Sequence, residues 1–212
     1  MPITRKAKTA IAAAFLLCAV SGAAAATNSG AYIGIGLGAT AFNDGGMVED
    51  FNRELGGDLL SLEDTASGFK VYGGYQFNAI AAVEAAFTDY GQFSVRENVF
   101  GTSASVTPTS LSLSANLGYD FADGQFRPFV LIGLAQVYDM NFNEFSDDDN
   151  TLGLHIGLGF QYDPKQLGGF GFRLAYEGDA FGVSTGASGT TYIREDYSQS
   201  VGMVYAGAHY RF

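Results

Sequence analysis

Leu111, Leu113, Ala115, Leu117, Tyr119 and Phe121 alternate without a break with Ser110, Ser112, Ser114, Asn116, Gly118 and Asp120. A period of two puts the apolar set on one face of an extended strand and the polar set on the other, which no helix can do. The closing residues Val201 to Phe212 repeat the pattern, with Val204, Ala206, Ala208, Tyr210 and Phe212 opposite Met203, Tyr205, Gly207, His209 and Arg211. So do residues 31–42, where Ile33, Ile35 and Leu37 face away from Gly34, Gly36 and Gly38. Residues 68–77 set Phe69, Val71, Gly73, Tyr75 and Phe77 against Lys70, Tyr72, Gly74 and Gln76. Residues 82–88 follow with Val83, Ala85 and Phe87 against Glu84 and its neighbours. Residues 152–162 and 170–179 complete the clear cases. Residues 126–138 are apolar on both faces, with Pro128, Val130, Ile132 and Leu134 on one and Phe129, Leu131, Gly133 and Ala135 on the other, so the pattern leaves inside and outside open there.

The eight strands are joined by connections that alternate long and short. The long ones span about 43–66, 91–108, 141–151 and 180–197, and the short ones are Asn78–Ala81, Ala122–Gln125 and 163–169. Aromatic residues collect beside the short turns: Tyr75 and Phe77, Tyr119 and Phe121, Phe126, Phe160 and Tyr162, Phe170 and Phe172, Tyr210 and Phe212. All but Phe126, which matches its neighbours loosely, share the apolar face. A soluble sandwich has no use for a ring of aromatics at one rim, whereas a membrane interface does. The reading is an all-β, eight-stranded antiparallel up-and-down transmembrane β-barrel over residues 27–212. Its short turns face the periplasm and its long segments face outward.

The start of the chain fits secretion. Arg5, Lys6 and Lys8 precede the apolar run Ile11 to Val20, and Ala24-Ala25-Ala26 forms an A-x-A cleavage site before Thr27. Residues 1–26 therefore read as a signal peptide removed near Ala26. Cys18, the single cysteine, sits in that run; the small residues expected before a lipidated cysteine are absent at Phe15-Leu16-Leu17. Without a cysteine the mature chain uses neither disulfides nor thiolate metal sites. Of the 11 basic residues three leave with the leader and none of the 22 acidic ones does, so the mature charge is 8 − 22 = −14. Such a chain repels nucleic acid, which is excluded as a partner.

GFKVYGGYQFNAIAAVEAAFTDYG (residues 68–91), RPFVLIGL (residues 127–134) and the terminal YRF resemble the small outer-membrane β-barrel family. That porin-family group includes the OmpA transmembrane domain and the opacity-type surface proteins. The resemblance covers essentially residues 30–212 and implies a Gram-negative outer-membrane location amid lipid and lipopolysaccharide. It also implies that Gly207, Tyr210 and Phe212 form the C-terminal signal read by the barrel-insertion machinery. Tyr205 stands where that signal usually has a polar residue, and no peptidoglycan-binding domain follows.

An eight-stranded barrel is nearly filled by its own side chains. Lys70, Glu84, Asp120, Arg127, His155, Arg173, Glu177, His209 and Arg211 fall on inward faces, with opposite signs on different strands. Buried charges need partners. The expectation is a salt-bridged plug, with a narrow ion path gated by rearranged pairs as the alternative. The acidic outer segments, such as 43–66 with Asp44, Glu49, Asp50, Glu54, Asp58, Glu63 and Asp64, point to surface interaction with an extracellular ligand. Within that segment Phe51, Leu55, Leu59, Leu60 and Leu62 suit a short helical turn.

Other motifs carry less. Gly34, Gly36 and Ala39 match part of a dinucleotide fingerprint but lack the helix it requires. Asp147-Asp148-Asp149-Asn150 lacks the central glycine and closing glutamate of a calcium loop. Gly182-Val183-Ser184-Thr185-Gly186 matches a hydrolase elbow, placed by this reading in an outer loop rather than between strand and helix. A lipid A-modifying hydrolase is thus the weakest alternative, and neither enzymatic activity, cofactor nor metal is expected.

Overall fold

The computed structural model describes residues 29–43, 60–63, 65–97, 103–138, 150–186 and 194–212. The leader, the Asp147–Asp149 run, and Phe51, Leu55 and Leu59 of the expected helical turn lie outside these. Among the described residues there are eleven strands: β1 (Gly30–Asn43), β2 (Leu60–Glu63), β3 (Thr65–Gln76), β4 (Ala81–Asp89), β5 (Phe93–Glu97), β6 (Ser103–Val106), β7 (Thr109–Gly118), β8 (Phe126–Tyr138), β9 (Asn150–Tyr162), β10 (Phe170–Gly186) and β11 (Arg194–Arg211). Eight of them, β1, β3, β4, β7, β8, β9, β10 and β11, close an antiparallel barrel in which each strand pairs with its neighbours in this order and β11 returns to β1. The seam is long, running from Tyr32 opposite Arg211 to Asn43 opposite Ser200.

Closure is what this sequence requires. The apolar face of every barrel strand points outward: Leu37 is 71% exposed, Leu113 61%, Leu154 47% and Val204 53%. A contiguous apolar surface on this scale belongs to a membrane interface rather than to water. In hydrocarbon an open sheet edge would leave backbone N–H and C=O groups unpaired, so only a closed ladder is tolerated. On β9 the outward residues run from Leu152 to Tyr162. At ~3.3 Å per residue and a tilt of roughly 40° they cover a belt about 25 Å tall, the height of an outer-membrane apolar band.

The rim beside the short turns carries an arc of paired aromatic rings. Tyr75 meets Phe77 at 5.3 Å and Tyr119 meets Phe121 at 4.9 Å. Phe170, Tyr210 and Phe212 form a chain of edge contacts at 4.9 and 5.0 Å. Phe126, loosely placed by the pattern, belongs to the arc, since its ring stacks on Tyr162 at 4.7 Å. The turns use local chemistry. Asn78 Oδ1 accepts from the backbone of Ile80 and Ala81 at 2.8 and 2.9 Å. Ala122, Asp123 and Gly124 all adopt positive φ in the turn closed by the Phe121–Phe126 bridge.

Four expectations need revision. β7 ends at Gly118 rather than Phe121: Tyr119 still donates to the Pro128 carbonyl at 3.2 Å, but Pro128 has no N–H to return the bond, and only the Phe121–Phe126 bridge carries the pairing on. Leu60 and Leu62 lie on a strand, not a helical turn, since β2 pairs with β5. The 180–197 connection is largely a hairpin: β10 runs on to Gly186 and β11 begins at Arg194, with pairing from Phe181–Gln199 to Gly186–Arg194. On β8, where the pattern leaves the faces open and nothing is revised, Val130, Ile132 and Leu134 face outward while Phe129, Leu131, Ala135 and Val137 are buried inside. Apolar residues are admitted to the lumen where a cation or other apolar groups face them: Phe129 lies under Arg173, and Val137 is buried in one cluster with Phe42, Phe93 and Val201. The long segment 91–108 likewise contains a hairpin, β5–β6.

Leu113 tests the outward assignment. Leu113→Arg is expected to destabilise the barrel by about 2–4 kcal/mol in lipid vesicles, the cost of a cation on the lipid face near mid-membrane. The measurement is a urea titration followed by heat-modifiable gel mobility, with the variant Gln166→Arg at an exposed turn position unchanged beside it.

Candidate functional site: the polar column of the lumen

The lumen-facing half of each strand is small where a large neighbour leans across. A Cβ on Gly34 would fall 2.4 Å from the Tyr72 ring, and one on Gly36 the same distance from the Tyr205 ring. The glycines that mimic a nucleotide motif are thus seats for tyrosines. Around them the charged residues assemble into a connected column.

Its centre is a cluster of ions. Arg173 on β10 makes a two-pronged pair with Glu84 on β4, both bonds 2.8 Å. In barrel order these strands stand diametrically opposite. Glu84 also accepts from the Tyr32 hydroxyl at 2.8 Å and the Asn116 amide at 3.1 Å. The Arg173 guanidinium lies 3.9 Å from the Tyr72 ring centre and 4.7 Å from that of Phe129, a cation–π seat that explains an inward Phe129. Lys70 on β3 pairs with Glu177, which also accepts from the Tyr205 hydroxyl at 2.5 Å. His155 sits between two carboxylates, its Nδ1 2.6 Å from Asp179 and its Nε2 3.3 Å from Glu177. Both ring nitrogens face acceptors, the arrangement a doubly protonated ring satisfies. With that ring the cluster is neutral: Lys70, His155 and Arg173 against Glu84, Glu177 and Asp179. Neutrality by direct pairing is how charges tolerate removal from water.

Toward the short turns the column continues through neutral amides. Arg127 donates to Asn116 at 2.6 Å and to Gln161 at 3.2 Å, and its Nε lies 3.4 Å from Asp120. Gln76 bridges Asp120 at 3.2 Å and Arg211 at 2.9 Å. Arg211 then donates to Asp163 at 2.8 Å, whose other oxygen meets His209 Nε2 at 2.5 Å. Asp163, in the β9–β10 turn, is held below the ordinary carboxylate range. Burial pushes it up, but the His209 hydrogen bond and the neighbouring cations outweigh burial.

Thus Lys70, Glu84, Asp120, Arg127, His155, Arg173, Glu177, His209 and Arg211 all stand in one column. Two members lie beyond the reach of the alternation: Asp163 is in a turn where parity says nothing, and Tyr90 lies just past β4. Asp179 falls on the polar face of residues 170–179 by parity, which gives it no partner. Gly207 and Tyr210 sit in the β11 ladder with Phe212 just beyond its end. A Cβ on Gly207 would meet the Ile35 carbonyl at 2.5 Å, and the Phe212 amide donates to Ala31 O at 2.9 Å. Residues 182–186 extend strand β10 rather than forming a strand–turn–helix elbow. Both histidines are buried in the column.

The matching family model is that of the outer membrane protein beta-barrel domain, over residues 10–212. The chain belongs to that family. No curated protein matches it. Among solved structures, Pseudomonas aeruginosa OprG aligns over 86% of this chain and 97% of its own at 15% identity, TM-score 0.53. AlkL, determined in lipid bilayers, aligns over 91% and 95% at 16% identity, TM-score 0.53. Yersinia pestis Ail, in its complex with a heparin analogue, aligns over 87% and 99% at 19% identity, TM-score 0.49. At such identities the likeness is one of fold; the family places this barrel protein in the Gram-negative outer membrane.

Two outcomes follow from the column. Glu84→Gln strips Arg173 of its bidentate partner and is expected to cost about 3–5 kcal/mol. Combined with Arg173→Met, the loss should fall short of the sum of the single losses by about 0.5–3 kcal/mol in a double-mutant cycle. For Asp163 the sign is set by its depressed pKa: its stabilisation is present above about pH 4 and is lost as pH falls through the folded-state value. Asp163→Asn should therefore unfold at lower temperature than the parent at pH 7, with the gap closing in acid.

Proposed function

We propose that this barrel acts at the cell surface as a structural and recognition protein, its lumen serving as a brace and its acidic outer segments as the contact surface. The observation that carries this reading is the column itself. Charged groups from Asp179 to Asp163 are engaged with one another across the bore, so the interior is occupied by structure rather than by a ligand. What remains for function is the exterior. The mature sequence carries −14, from 8 basic and 22 acidic residues, and much of the acid lies in the segments beside the outer strand ends. Such a surface favours cationic partners, or lipopolysaccharide phosphates bridged by divalent cations. Gly207, Tyr210 and Phe212 are proposed to carry assembly, and residues 1–26 to direct export.

The test removes an outer segment without touching a paired strand. Asn43 pairs with Ser200 and Leu60 with Glu97, so the excision is residues 44–59. Cells displaying the shortened protein should keep heat-modifiable mobility but lose adhesion to host cells and calcium-dependent association with lipopolysaccharide vesicles. Unchanged binding would remove that segment from the reading.

A second reading, a narrow ion path, has one observation in its favour. Arg173 NH1 stands 3.9 Å from Glu177 while bound to Glu84 at 2.8 Å, so an alternative partner is within a small movement. Conductance in planar bilayers separates the two, and a silent membrane ends the channel reading.

A further inference from the structure

On one side the barrel wall does not stop at the outer rim. β3, β4 and β7 continue in sequence into a small sheet of β2, β5 and β6, with β5 in the middle. The continuation from β4 to β5 is sharply bent. Gly91 has φ of 80°, and a Cβ there would lie 2.3 Å from the Ser67 carbonyl, so the bend requires glycine. Beyond it Phe93 is fully buried and packs on Phe42 of β1 at 5.7 Å. Val106, Val137, Phe181 and Val201 are buried with them, drawn from β6, β8, β10 and β11. An apolar layer thus closes the outer mouth above the polar column.

Immediately before the bend stands Tyr90. Its hydroxyl donates to Asp179 Oδ2 at 2.6 Å, and its carbonyl accepts from Thr40 Oγ1 at 2.6 Å. Asp179 is on β10, opposite β4 across the barrel, and its second oxygen is taken by His155. The tyrosine therefore spans the bore at the base of the folded-over sheet. We propose that Tyr90 and the sheet of β2, β5 and β6 beyond it move together as a lid on the outer mouth, bent over at Gly91 and latched by the Tyr90–Asp179 hydrogen bond. Releasing the latch lets the lid lift and admits water-soluble molecules to the column from outside. This goes beyond surface recognition and does not depend on it.

The lid is tested by thiol labelling of the whole protein in outer membranes, in a chain whose one cysteine is replaced by Cys18→Ala. Ser112→Cys places a buried reporter on the lumen wall below Tyr90, and Thr107→Cys an exposed one at the rim. A membrane-impermeant thiosulfonate added outside should react far more slowly at position 112 than at 107. Tyr90→Phe should accelerate position 112 by roughly tenfold or more, as expected for loss of a hydrogen bond to a charged group, and leave 107 unchanged. Asp179→Asn provides a second release, and heat-modifiable mobility confirms that each variant is folded. Tyr32→Phe, which loses a lumen hydrogen bond to Glu84 away from the lid, should not accelerate labelling. The lid is refuted if the parent reporter labels as fast as position 107. It is equally refuted if folded Tyr90→Phe and Asp179→Asn label as slowly as the parent, or if Tyr32→Phe accelerates as much.

Discussion

Hydrocarbon outside the wall is the constraint from which the rest of this barrel descends. It forbids unpaired backbone at the outer surface, so the strands must close on themselves. It accepts Leu37, Leu113, Leu154 and Val204 where water would not. Having taken the apolar residues outward, it leaves the polar ones no place but the bore. The interior is therefore an inverted core, held by paired charge where a soluble domain would be held by packed aliphatic side chains.

That inversion explains why the interior is so fully connected. Each cation has to find its anion across a narrow space, and tyrosines fill the gaps between them. Arg173 shows how such a site is made tolerable, with carboxylate oxygens in the plane of the guanidinium and aromatic rings over its faces. A hydrophobic layer at the outer mouth and an aromatic arc at the other rim bound this column at its two ends.

Strand number, strand faces and the aromatic rim were legible in the sequence because all three rest on a period of two, which one residue of slip would invert. Lys70, Glu84 and Arg173 could be placed inside by parity alone. Their partners could not, because pairing depends on barrel closure and stagger, which no local pattern encodes. Asp163 and Tyr90 were invisible for a related reason, since they lie outside regular strands, where alternation assigns no face. On β8 both faces are apolar, and the local pattern carries no sign that Phe129 turns inward against Arg173 while Val130 and Ile132 meet lipid. The extended β10–β11 hairpin was hidden by Gly, Ser and Thr, whose composition reads as loop while the backbone remains paired.

The bond between Glu84 and Arg173 joins residues 89 positions apart and strands on opposite walls. An unrolled sheet cannot make it. A half-inserted intermediate would present bare guanidinium and carboxylate groups to lipid, at a cost that falls only when the last edge meets the first. Rolling up and neutralisation are therefore one event, and the internal charges act as a checkpoint that makes partially assembled forms costly.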